Sequence, residues 1–88
     1  MAWKIDLSSL AQRNLNDLDP QVARRILAFL RDRVAALDNP RSIGEALRGE
    51  LGEFWKYRVG DYRVIASIED QAVRILVIRI GNRREVYR

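Results

Sequence analysis

Phe54-Trp55-Lys56-Tyr57-Arg58-Val59, Gly60-Asp61, Tyr62-Arg63-Val64-Ile65 is the stretch on which the fold turns. Its first six residues alternate. Trp55, Tyr57 and Val59 share one face of an extended chain, and Lys56 and Arg58 share the other. Gly60-Asp61 is a two-residue break of the kind that closes a β-hairpin, because glycine accepts the positive φ such turns require. Tyr62 to Ile68 then returns as the partner strand. A second break at Glu69-Asp70-Gln71 leads into Val73 to Ile80, where apolar residues occur at both parities. That pattern predicts a central strand covered on both faces. Gly81-Asn82 ends it, and Arg83 to Arg88 follow.

Upstream of this meander the period changes. Trp3, Ile5 and Leu7 alternate with Lys4 and Asp6, which predicts a short strand over Met1 to Leu7. Ser8 or Ser9 can cap a helix, and Leu10, Ala11, Leu15 and Leu18 follow at helical spacing. Asp19-Pro20 starts a second helix: Asp caps it, and Pro fits the first turn, where its missing N–H costs nothing. Val22, Ile26, Phe29, Leu30, Val34 and Leu37 form one stripe at steps of three and four, which predicts a helix running to Leu37. Asp38-Asn39-Pro40 stops it. Residues 38–53, with Pro40, Gly44, Gly49 and Gly52, read as a loop. The order is β-α-α-β-β-β. Helices first and a hairpin-linked meander afterwards predict one α+β domain over residues 1–88, with a helical hairpin packed on a mostly antiparallel sheet.

Composition narrows the chemistry. The chain contains no Cys and no His, so thiolate nucleophiles, disulfides, imidazole bases and the commonest metal ligands are excluded. Any catalysis must use Lys, Arg, Tyr, Asp or Glu. No glycine-rich phosphate loop appears at the required spacing. No apolar run approaches membrane-spanning length, and Asp6 interrupts the N-terminus before a signal peptide could form, so a cytoplasmic location without membrane contact is expected. The formal net charge is +4, and fourteen of the sixteen basic residues are Arg; only Lys4 and Lys56 are Lys. Arg binds phosphate oxygens in pairs and stacks on bases, so this balance points to a polyanionic partner.

The alternating strand concentrates that charge. Lys56 and Arg58 lie about 7 Å apart on one face. The hairpin folds Arg63 back beside Arg58, and a curl after Gly81 would bring Arg83 and Tyr87 towards the same face. One Lys, three Arg and one Tyr then converge in a shallow patch that needs no carboxylate. The plain alternative is a solvated outer face of a sheet, with Tyr87 plugging the core edge; Trp3, Trp55, Tyr57 and Tyr62 read as core. Cutting RNA internally requires a deprotonated 2′-hydroxyl, a stabilised pentavalent phosphate and a protonated 5′-oxygen. Arg suits the phosphate, and a Lys among cations can act as base or acid near neutral pH.

These residues resemble the RelE family of bacterial toxin–antitoxin toxins over nearly the whole chain. The resemblance is carried by Leu47-Arg48-Gly49, by Trp55 to Ile65, and by Val77 to Tyr87 with Ile80-Gly81-Asn82-Arg83-Arg84-Glu85-Val86-Tyr87. It implies a RelE-like fold and a metal-independent endoribonuclease, an mRNA interferase that uses no small-molecule cofactor. Its expected partners are mRNA in the ribosomal A site and a cognate RelB-like antitoxin that holds it inactive. By resemblance Lys56 is the proposed general base and Arg58 stabilises the transition state. Arg63 holds phosphate, Arg83 binds phosphate or protonates the leaving oxygen, and Tyr87 stacks on or orients the base. Arg58 stands where the family often has a second Lys, and Asn82 where many relatives have His. Related ParE-type toxins share the fold and target DNA gyrase, and a non-toxic binding module is the third reading.

Overall fold

The alternation around Gly60 is present as a hairpin in the computed structural model, which describes residues 3–47 and 54–82. The elements are β1 (Lys4–Leu7), α1 (Ser9–Asp17), α2 (Pro20–Phe29), a π-helical turn (Leu30–Val34), a 3-10 turn (Pro40–Ile43), β2 (Glu45–Ala46), β3 (Phe54–Val59), β4 (Tyr62–Glu69) and β5 (Arg74–Asn82). The strands form one sheet in the order β1-β5-β4-β3-β2. β1 pairs with β5 in parallel, and the remaining neighbours are antiparallel. The architecture is the expected α+β one, with the helices on one face of a mostly antiparallel sheet.

Local chemistry explains the boundaries. The Ser8 Oγ accepts the Ala11 N–H and caps α1, and Asp19 caps α2 with Pro20 in the first turn. Val59 and Tyr62 pair across Gly60-Asp61, and Gly60 takes φ +60°, where a Cβ would be strained. The β4–β5 turn closes on Val73 at φ +49°, a left-handed conformation that a β-branched residue adopts only under strain. The Val73 carbonyl accepts the Lys4 N–H, so the same turn anchors β1.

Ala11 and Leu15 of α1, with Ile26, Leu30 and Val34 of the second helical segment, pack on Tyr57, Val59, Val64, Ala66, Ile75, Val77 and Ile80 of the sheet. Trp3, Trp55 and Tyr62 are half-buried against this core, as the aromatic alternation predicts.

Four expectations need correction. The helix does not run regularly to Leu37: α2 ends at Phe29, and a wide turn follows in which the Ala35 N–H reaches the Leu30 carbonyl. That wider turn lets consecutive Val34 and Ala35 both face inward, and both are buried. Extended pairing starts at Lys4, with Trp3 outside the strand. Residues 38–47 are not plain loop, because they hold the 3-10 turn and β2; residues 48–53 lie outside the described residues. β5 is central, but its mixed parity has another cause. Ile65 pairs with Arg79 and Ala66 with Val77, so Ile78 is an extra residue. This bulge shifts the phase from Ile75 and Val77 to Ile80, all of which face the helices. Leu76 and Ile78 are only half-buried, so among the described residues the second face is not fully covered.

Candidate RNA-contacting site

Cross-strand register assembles the site on the sheet face away from the helices. Arg58 of β3 stands directly opposite Arg63 of β4, and Arg63 opposite Gly81 of β5. One row along, Glu45 of β2 pairs with Lys56, Lys56 with Ile65, and Ile65 with Arg79. Directly opposed side chains share a face, with Cβ atoms about 5 Å apart. Lys56, Arg58, Arg63 and Arg79 therefore belong to one neighbourhood, and Gly81 leaves the end of the Arg63 row without a side chain. Like charges so close repel one another, and the arrangement is stable only with anions or dipoles among them.

Two such groups are present. Arg63 is only 6% exposed. Its Nη1 donates to the Gly60 carbonyl at 3.2 Å and the Tyr62 carbonyl at 3.1 Å, so the hairpin turn itself carries part of the charge. The second is Glu45. Its Oε2 lies 3.0 Å from Lys56 Nζ. The hydrogen bond and charge of Lys56, with smaller contributions from Arg58 and Arg63, hold the Glu45 carboxyl below the usual carboxylate range. One ionised carboxylate thus feels three of the predicted cations at once. This corrects the expectation of a patch without a carboxylate, and it interrupts the purely like-charge surroundings foreseen for Lys56.

Glu45 is delivered by a short, well-anchored segment. The Tyr57 hydroxyl donates to the Pro40 carbonyl at 2.7 Å. Gly44 crosses the Tyr57 ring so closely that a Cβ there would lie 3.0 Å from Cε1, so any larger residue would have to displace the buried ring. Arg41 pairs with both carboxylate oxygens of Asp70, at 3.0 and 2.6 Å, and lies 5.8 Å from the Trp55 ring centroid. The 3-10 turn is thereby tied to β3 and to the β4–β5 turn, and β2 follows from it.

The other end of the same face is neutral. Arg74 donates to both carboxylate oxygens of Glu69, at 3.1 and 3.0 Å, and to Asp6 at 3.2 Å. Among the described residues, the cations at the Lys56–Arg63 end outnumber the one carboxylate that faces them, Glu45. Of the predicted site residues, Lys56, Arg58 and Arg63 come together. Arg83 and Tyr87 lie outside the described residues. Asn82 pairs with Tyr62 and shares its helix-side face, away from the cations. Sequence reasoning missed Glu45 and Arg79. For Arg79 the available signal was a cation within the apolar run Ile75 to Ile80; Glu45 sits in a stretch with no periodicity to place it.

Comparison with known proteins finds relatives that match over nearly the whole chain. A family model described as the ParE toxin of the type II toxin–antitoxin system, parDE, matches residues 5–87. The chain is similar to Toxin RelG of Mycobacterium tuberculosis, at 26% identity over 88 residues covering 100% of this chain and 99% of that protein. It is similar to Toxin RelE of the same organism, at 31% identity over 86 residues covering 98% of this chain and 87% of that one. Among solved structures, the RelBE2 toxin–antitoxin complex of M. tuberculosis superposes with a TM-score of 0.86 at 24% identity, over 97% of this chain and 95% of that one. The archaeal RelE–RelB complex of Pyrococcus horikoshii gives 0.72 at 27% identity, over 97% and 99%.

Proposed function

The chain belongs to the RelE/ParE family of type II toxin–antitoxin toxins, and from that premise we propose that it is a ribosome-dependent endoribonuclease that cleaves mRNA in the A site. The observation that carries the proposal is the cluster in which Lys56, Arg58 and Arg63 act on a single anionic group, now the Glu45 carboxylate. A scissile phosphodiester has the same charge and needs the same neighbours. In the proposed reaction the 2′-oxygen attacks the adjacent phosphorus, the P–O5′ bond breaks, and a 2′,3′-cyclic phosphate remains on the upstream fragment. Arg58 and Arg63 stabilise the pentavalent charge. Family resemblance makes Lys56 the proposed base; with a carboxylate at 3.0 Å, the Glu45–Lys56 pair supplies an ionised acceptor and an ammonium donor side by side. Arg83 holds phosphate or protonates the leaving oxygen, and Tyr87 stacks on the base, in keeping with the family resemblance. A cognate RelB-like antitoxin restrains the activity; the RelE-type toxins of M. tuberculosis and P. horikoshii were solved as complexes with such partners.

The test is expression without antitoxin, together with cleavage of ribosome-bound mRNA by purified protein. K56A and R83A are expected to abolish growth arrest and to slow cleavage by about 100-fold or more, with native circular dichroism. Full cleavage by both variants would remove the assignment. A second reading, inhibition of DNA gyrase, is favoured by the family model's description as ParE. Loss of supercoiling by gyrase, with ribosome-bound mRNA left intact, would decide for it.

A further inference from the structure

Arg58 also borders a second feature. Between the second helical segment and the far end of β3 runs an open groove of about 450 Å³, whose lining includes Arg25, Phe29, Asp32, Arg33, Arg58 and Gly60. Arg25, Phe29 and Arg33 follow at steps of four and so project from one side of the helix. The Arg33 guanidinium lies 6.0 Å from the Phe29 ring centroid, which orients it along the groove. Arg25 reaches the hairpin turn, where a Cβ on Gly60 would stand 3.4 Å from its Nη2. Among the described residues, Arg25, Arg33 and Arg58 make no ion pair. The one carboxylate, Asp32, is already 3.5 Å from Arg31 outside the groove. Arg25 and Arg33, with Arg58 at its edge, thus line one concave, partly apolar channel, and among the described lining residues these three cations face a single carboxylate, Asp32.

We propose that this groove is a second phosphate-binding site, one that holds the backbone of the RNA strand next to the scissile linkage. The inference rests on the cluster at Lys56, Arg58 and Arg63 being the RNA-cleaving site. Arg58 is common to both features, so a strand whose phosphate sits against Arg58 and Arg63 continues into the groove over the β3–β4 turn. Flat guanidinium forks that bind phosphate oxygens in pairs suit such a backbone, and contacts of this kind position a strand without reading its bases. Gly60 keeps the groove open where the strand would cross the turn.

The probe is a 2′-O-methyl RNA oligonucleotide, which binds but cannot be cleaved. Its affinity for the full chain is measured by fluorescence anisotropy across a salt series. R25A/R33A is expected to bind about tenfold more weakly, and the slope of log affinity against log salt should become shallower by about 1.4, or 0.7 per lost single-strand phosphate contact. The control R13A/R24A, which removes exposed arginines outside the groove, should lose about twofold or less. R25Q/R33Q takes the place of the alanine pair if the latter does not fold. Unchanged affinity and slope in the groove variant overturn the proposal, and so does an equal loss in the control, which would mean a diffuse basic surface. A loss seen only for a polyglutamate peptide, with RNA binding intact, assigns the groove to an acidic protein arm and also overturns it. Failure of the nuclease reading is recorded separately, as wild-type protein that leaves ribosome-bound mRNA whole.

Discussion

Glu45 is a carboxylate where an RNA-cutting surface would be expected to exclude one. Its role follows from charge and proximity. Ionised, it neutralises part of the cluster while no phosphate is bound, and it keeps the Lys56 ammonium 3.0 Å away. Glu45→Gln removes the proposed proton acceptor and a repulsion against phosphate together. The expected outcome is RNA affinity equal to or tighter than wild type, with single-turnover cleavage slowed by about tenfold or more. Thermal unfolding should hardly move, because exposed ion pairs contribute little. The cations lower the Glu45 pKa. Activity that needs its ionised form is therefore kept below the usual Glu range and lost only as pH falls through the lowered value. A pH–rate profile with its acid limb in the ordinary Glu range would contradict this account.

At the scale of elements, β5 carries the sheet towards the functional end, and α1 holds it there. β1 pairs only as far as Val77. Beyond that point the Ser8 N–H donates to the Val77 carbonyl at 2.9 Å, and the Ser8 Oγ donates to the Ile78 carbonyl at 2.8 Å. Asn14 Oδ1 accepts the Ile80 N–H at 3.0 Å. Side chains of the cap and the first helix thus replace a missing strand along the bulged stretch. Ser8 has two duties, since the same hydroxyl caps α1. Ser8→Ala removes the cap and leaves the Ile78 carbonyl unpaired, so a loss of about 1–2 kcal/mol in urea unfolding is expected. A loss below about 0.5 kcal/mol would show that water substitutes at both places.

At the scale of the whole molecule, Tyr57 ties three parts together. Its ring is fully buried, meets Phe29 edge-on with centroids 6.5 Å apart, lies under Gly44, and its hydroxyl holds Pro40. Burial pushes the phenol from 10.0 up to about 12, and the nearby Arg41 offsets only part of this. The fold favours the neutral phenol, so its contribution is complete below pH 10.0 and is lost as pH rises towards about 12. Urea midpoints should fall across that interval. Tyr57→Phe should show a smaller fall there, and should lose about 1–2 kcal/mol at neutral pH through the unpaired Pro40 carbonyl. Equal alkaline falls in both proteins would exclude Tyr57 as the source. The outer face shows a matching division, with Arg74 compensated by Asp6 and Glu69 at one end and Lys56, Arg58 and Arg63 gathered around Glu45 at the other. A net charge of +4 therefore understates the local field that a polyanion would meet.

The sequence by itself determined the hairpin at Gly60-Asp61, the helical pair, and the division of β3 into a core face with Tyr57 and a cationic face with Lys56 and Arg58. These are local matters: side-chain alternation and turn chemistry depend on a few neighbouring dihedral angles, which residue types constrain directly. Tertiary structure alone decided that Glu45 meets Lys56, that Ile78 is bulged so that Arg79 joins the cations, and that Arg25 and Arg33 share a groove with Arg58. Each of these depends on register or docking between segments distant in the chain. Register is set by how whole faces pack, and a single-residue slip would send every side chain of a strand to the opposite side.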